Sequence, residues 1–170
     1  MRIVALAGAA AALLVALAPA ASSHRSACTA RYGGALPDAV CTPGALNPAV
    51  TQGDIASTIC HHGWAASVRP PLTVTEPEKF KLMRAYGIST TAGHAGLYEL
   101  DHTVPIELGG AVDDPANLWP EPHSEIYRGR QVGSLAKDAA ENRVNAEVCS
   151  GRVSLAAAQA AFERDWRKAP

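Results

Sequence analysis

Apolar and polar positions along this chain fall into three kinds of pattern, and each predicts a different element. The first is a run from Ile3 to Leu17, led by Arg2 and followed by Ala18-Pro19-Ala20. It is shorter than the roughly 20 residues that a bilayer-crossing helix requires, and the small residues after it suit a signal peptidase. Residues 1–20 therefore read as a secretory leader, which would make the rest, 21–170, an exported single domain with no membrane attachment after cleavage. Helical spacing is the second pattern. Thr51 caps toward Asp54, with Ile55 and Ile59 one turn apart, predicting a short helix ending near Cys60. Thr75 and Glu78 form another capping arrangement with Pro77 in the first turn, and Phe80, Met83 and Tyr86 share one side of that helix. Leu135, Ala139, Val144 and Val148 predict a buried stripe on a helix starting near Ser134. Leu155, Ala158, Phe162 and Trp166 predict a last helix over 154–167, capped by Ser154. The third pattern is period two: Leu97, Tyr98 and Leu100 suggest a short strand, and Val104, Ile106 and Leu108 suggest another over 103–108.

Between these elements Gly and Pro punctuate the chain. Nothing periodic survives in 21–48, and 21–72 reads as loop-rich. Gly109-Gly110 breaks the strand pattern, and Asp113-Asp114-Pro115 makes a turn, since Asp bonds its own following backbone and Pro presets φ. The expected class is α+β, with a small two-strand and one-helix core over 97–149.

Composition narrows the function. The chain carries 15 Lys and Arg against 16 Asp and Glu, so bulk charge does not hold it to a polyanion. Any nucleic-acid contact has to be local. Local basic groups occur at Lys79, Lys81 and Arg84, and again at Arg128, Arg130, Lys137 and Arg143; a solvated helix face is the plainer reading of most of them. All four cysteines, Cys28, Cys41, Cys60 and Cys149, follow the leader. An even count in an exported chain favours two disulfides, and three pairings are open. Cys28–Cys41 with Cys60–Cys149 is preferred, because it staples the loop-rich region locally and ties its first helix to the C-terminal part. No pair has the close spacing of a zinc knuckle, and His61-His62 read as exposed loop residues.

The chemistry concentrates in 98–122, YELDHTVPIELGGAVDDPANLWPEP. A neutral imidazole with an ordinary pKa near 6.5 is a suitable base for water at neutral pH. Adjacent Asp101 and His102 converge on one site only where a strand ends or bends. Asp101-His102, Pro105-Ile106, Gly109-Gly110 and Asn117-Leu118, with the later run KDAAENRVNAEVCSG, resemble the HNH nucleases, also called ββα-metal or His-Me finger endonucleases. The similarity spans most of the chain after the leader.

That resemblance implies a ββα-metal core in a DNA-hydrolysing enzyme, with RNA as a further substrate. It implies His102 as general base, Asp101 as metal ligand and Asn117 as the residue steadying the loop that carries the base. Family members commonly end the motif with a metal-binding His on the helix. Here none stands there, and His123, six residues after Asn117, is an outside candidate. Asn142 or Glu141 is the expected second ligand, with Asp138 behind them and Lys137 as a phosphate contact. Oxygen donors suit one hard divalent cation, Mg²⁺ or Mn²⁺. Glu107 should point away from His102. A monomer is expected, and no residue argues for a protein partner. The competing expectations are a secreted, non-catalytic module on the same scaffold and a hydrolase of another phosphoester or a cell-wall substrate. The latter has no nucleophile elbow or H-E-x-x-H helix to support it.

Overall fold

The computed structural model describes residues 28–170; the leader expected over 1–20 lies outside them. The fold is α+β. Helices α1 (Trp64–Val68), α2 (Leu72–Ala85) and α3 (Ala92–Ala95) precede strand β1 (Tyr98–His102). Strands β2 (Leu118–Pro122), β3 (Glu125–Tyr127) and β4 (Arg130–Val132) follow, then α4 (Ser134–Cys149) and α5 (Leu155–Asp165). The strands form two antiparallel pairs, β1 with β2 and β3 with β4. In the first pair Asp101 lies opposite Trp119 and His102 opposite Leu118.

The apolar core gathers Val144 and Val148 of α4, Leu155, Ala158 and Phe162 of α5, and Trp166 just beyond. Leu36, Val50 and Ile59 join from the N-terminal loops, and Val104 and Leu108 from the segment after β1. Two disulfides fasten these loops, Cys28–Cys41 and Cys60–Cys149, which is the preferred pairing. Disulfides of this kind fit an oxidising, extracellular setting. No helix among the described residues is long and apolar enough to cross a membrane.

Several elements differ from the sequence pattern. The partner of β1 is not 103–108 but Leu118–Pro122. Val104, Ile106 and Leu108 are all fully buried, but Thr103 and Pro105 beside them are buried as well, and Ile106–Leu108 is a 3-10 turn. Pro105 has no N–H to give a ladder, so the run folds back instead of extending. The helix expected at 51–60 shrinks to a 3-10 turn at Ile55–Ser57, and the Thr51 hydroxyl bonds the Asp54 carboxylate rather than capping. Helix α2 begins at Leu72 with Pro71 as its N-cap, leaving Pro77 inside the helix. The last helix keeps its expected cap, Ser154 Oγ accepting the Ala157 N–H, and its buried stripe of Leu155, Ala158, Phe162 and Trp166, but it ends at Asp165 and Trp166 opens a 3-10 turn.

The inward face of α4 is shifted from the apolar stripe. Leu135 is 56% exposed and Ala139 is exposed as well, whereas Lys137 and Glu141 are buried beside Ala140, Val144 and Val148. Hydropathy alone ranks a lysine and a glutamate as outward residues. Their mutual bond, and what they meet on β1, reverses that ranking.

Candidate active site at the end of strand β1

Strand β1 ends at His102, and its last two side chains turn to different surroundings. Asp101 meets α4: its Oδ2 accepts from Lys137 Nζ at 2.9 Å, and its Oδ1 accepts the His102 N–H at 2.6 Å. His102 borders a groove of about 680 Å³ formed with α2 and the loop after β1.

The His102 ring is fixed by one bond. Its Nε2 lies 3.0 Å from the Val112 carbonyl oxygen. A carbonyl only accepts, so Nε2 carries the proton and Nδ1 keeps a lone pair. No protein partner for Nδ1 occurs among the described residues. Burial holds the imidazole below its ordinary pKa; the Asp101 charge and the Val112 bond oppose this, and the Lys137 and Arg69 charges reinforce it. The ring is thus a neutral base at neutral pH, with a defined tautomer.

Asn117, fully buried, secures the loop that supplies Val112. Its Oδ1 accepts the Val104 N–H at 2.9 Å, and its Nδ2 donates to the Val104 and Ala111 carbonyls at 3.0 and 2.8 Å. The Thr103 N–H bonds the Asn117 carbonyl at 2.7 Å, extending the β1–β2 ladder past His102. Gly110 permits this closure. A Cβ there would overlap the Val104 carbonyl oxygen and press on Asn117 Nδ2, so no other residue fits without opening the loop.

On the α4 side, three carboxylates surround one ammonium. Lys137 Nζ is 2.9 Å from Asp101, 2.5 Å from Glu141 and 4.0 Å from Glu121. Lys137 is 1% exposed, so it is not the phosphate contact expected of it. Burial alone would lower the Lys137 pKa, but the charges of Asp101, Glu141 and Glu121 raise it instead. Burial would raise Asp101, yet the Lys137 ammonium brings it below the usual carboxylate range. Glu141 is raised to about 7 by burial, against the pull of Lys137. Glu121 is pushed well above the carboxylate range by burial and then by the Asp101 charge; no N–H or O–H donor reaches its oxygens, and its protonated carboxyl is placed to donate a hydrogen bond to Asp101.

The remaining candidates divide. Asp138 is exposed at the edge of this cluster, its carboxyl raised by partial burial and by the Asp101 charge. Asn142 points away on the solvent side of α4; the amide on that helix that bonds inward is Asn145, to the Ile59 and Glu107 carbonyls at 3.2 and 2.7 Å. His123 sits at the start of β1 rather than its end, 3.2 Å from Glu99 and 3.3 Å from Ser134. Glu107 bonds Arg69 at 3.1 Å. Sequence reasoning missed Arg69 and Glu121. Arg69 shares the groove with His102 and acts electrostatically on its ring, but it stands 33 residues away before a Pro-Pro pair. Glu121 is hidden in the proline-rich WPEP run.

The oxygen-rich donors Asp101, Glu121 and Glu141 are of the type a hard cation prefers. As arranged, however, they do not fit one, because Lys137 Nζ already fills the point they share. Among the described residues no group of three or more His, Cys, Asp or Glu is disposed to hold a metal ion. No protein-family model, curated protein or solved structure matches this chain.

Proposed function

We propose that this chain is an exported endonuclease of the HNH type that hydrolyses phosphodiester bonds of DNA, built on a His-Me finger core made of β1, β2 and α4. The observation that carries the reading is the His102 ring: neutral, its Nε2–H tied to Val112, and Nδ1 left to take a proton beside an open groove. In this reading Nδ1 accepts a proton from a water in the groove, the water oxygen attacks phosphorus, and the bond to the departing sugar oxygen breaks, that oxygen taking a proton from solvent water. Arg69 and Lys79 line the same groove and can meet negative charge on phosphoryl oxygens. Asn117 acts through the loop, as a positioning residue. No step is assigned to a divalent cation, since Lys137 occupies the carboxylates that would bind it.

Lys137 favours a second reading, a secreted binding module in which the scaffold persists around a neutralised site. Digestion of plasmid and single-stranded DNA by the oxidised chain separates the two, with Mg²⁺, Mn²⁺ or EDTA and His102→Ala alongside. Cleavage by wild type that drops about 100-fold or more in the variant supports the nuclease. A folded wild type that cuts neither substrate under any of these conditions leaves the binding module.

A further inference from the structure

A second cavity, of about 460 Å³, lies between the β3–β4 hairpin and the C-terminal turn and shares no lining residue with the His102 groove. Its volume falls in the range of small-ligand sites, about 300–1,000 Å³. Two tyrosines and four cations, Tyr32, Tyr127, Arg128, Arg130, Arg167 and Lys168, are among the residues that line it. The Tyr32 and Tyr127 rings meet edge to face with centroids 6.0 Å apart. The Arg167 guanidinium stands 4.2 Å from the Tyr32 centroid, and that of Arg128 5.4 Å from the Tyr127 centroid.

Charge in this cavity is not balanced. Asp165 pairs with Arg167 and Lys168, while no carboxylate lies within ion-pair distance of Arg128 or Arg130 among the described residues. The His102 groove is the reverse: Arg69 and Lys79 face Glu76, Glu78, Glu99 and Asp113. The unpaired cations here therefore attract a polyanion more strongly than the mixed charges of the His102 groove do.

The backbone is also specialised at this cavity. Tyr32 and Arg128, at φ +54° and +51°, are the only non-glycine residues with positive φ among those described, and both line it. Such positions are strained for a residue with a side chain. Gly33 lets the 31–36 turn close under the Tyr127 ring, since a Cβ there would sit 2.8 Å from Tyr127 Cδ2.

Guanidinium groups match phosphate in a planar, bidentate fashion, and aromatic rings accept any base face. We propose that this cavity binds single-stranded nucleic acid, with phosphate on Arg128 and Arg130 and a base against the exposed Tyr32 edge beside Tyr127. The site deepens the nuclease reading but does not depend on it, because its charges and rings are independent of His102.

The test is fluorescence anisotropy of a fluorescein-labelled dT12 oligonucleotide with the full oxidised chain in EDTA, across a salt series. Arg128→Gly with Arg130→Ala should weaken binding at least 10-fold and lower the log–log salt slope by about 1.4, the value for two phosphate contacts on a single strand. The same variant should keep or raise its melting temperature, since Gly relieves the strained position at 128. Tyr127→Leu should weaken dT12 binding while leaving the binding of inorganic polyphosphate unchanged. No dT12 binding by wild type, unchanged binding in the variants, or polyphosphate binding as tight as dT12 would each overturn the proposal. Retained dT12 binding by a chain that cuts no DNA would remove the nuclease reading and leave this site standing.

Discussion

Asn117 grips Val104 from both ends of its peptide functionality: the amide oxygen takes the Val104 N–H and the amide nitrogen gives to the Val104 carbonyl. One side chain therefore stands in for a piece of β-ladder at a place where the chain has left the sheet. Through Ala111 and the loop to Val112, that substitution sets where the His102 ring can lie.

Replacing Asn117 by Ala should destabilise the fold on the order of 3 kcal/mol. Buried backbone groups of Val104 and Ala111 lose their partners, and each unsatisfied group costs about 1–3 kcal/mol before relaxation. Urea unfolding measures this. If the nuclease reading holds, activity of the still-folded fraction should fall as well, because the Val112 carbonyl drifts from Nε2. A midpoint equal to wild type would mean the loop closes without Asn117.

His102 gives a pH signature. Its folded pKa is held below the ordinary value near 6.5, so between the two values the unfolded chain binds a proton that the folded chain refuses. The contribution to stability is complete above the unfolded pKa and is lost as pH falls through the folded one. On the nuclease reading, cleavage should follow the same limb, rising with pH through a value under 6.5. NMR titration of the His102 ring beside the pH–rate profile checks both, and a ring titrating above 6.5 would contradict the assignment.

Lys137→Ala should cost about 3–5 kcal/mol in metal-free buffer, the usual result of stranding buried partners of an ion pair. It also empties the point shared by Asp101, Glu121 and Glu141. The variant should then gain a Mn²⁺-dependent rise in melting temperature that wild type lacks. Equal Mn²⁺ responses in the two proteins would show that Lys137 does not block the site.

Glu121 predicts the opposite pH trend from His102. Its folded pKa is raised, so its contribution is intact below the unfolded value near 4.3 and is lost as pH rises toward the folded one. The slope is up to about 1.4 kcal/mol per pH unit. Glu121→Gln, isosteric and uncharged, removes that slope, so its advantage over wild type should grow from pH 5 to pH 8. A constant difference across the range would place a charged carboxylate at 121.

Much of this site was legible in the sequence. Asp101, His102 and Asn117 stand out because the dipeptide, the Gly-Gly break and the Asn before Leu-Trp are local signals, and the structure places all three around the end of β1. The partner strand was not legible, since Val104, Ile106 and Leu108 are buried for reasons of a compact turn and mimic a strand. Nor was the inward face of α4. Burial of Lys137 and Glu141 depends on Asp101 and Glu121, which are distant in sequence, and no one-helix pattern carries that information. Spacing alone leaves the disulfide pairing open; the need to fasten the loop-rich 28–60 region favours the one found.

The Cys60–Cys149 bond joins residues 89 apart and ends on the last residue of α4, the helix that brings Lys137 and Glu141 to Asp101. Closing so long a loop restricts the unfolded chain by about 4–5 kcal/mol in the chain-entropy account, close to the whole stability of a small domain. Assembly of the site is thereby tied to oxidation. A reduced chain is expected to hold its α4 cluster more loosely than the oxidised one. Hydrogen exchange at α4 amides with and without reductant reads that dependence, and equal protection in both states would separate the site from its redox history.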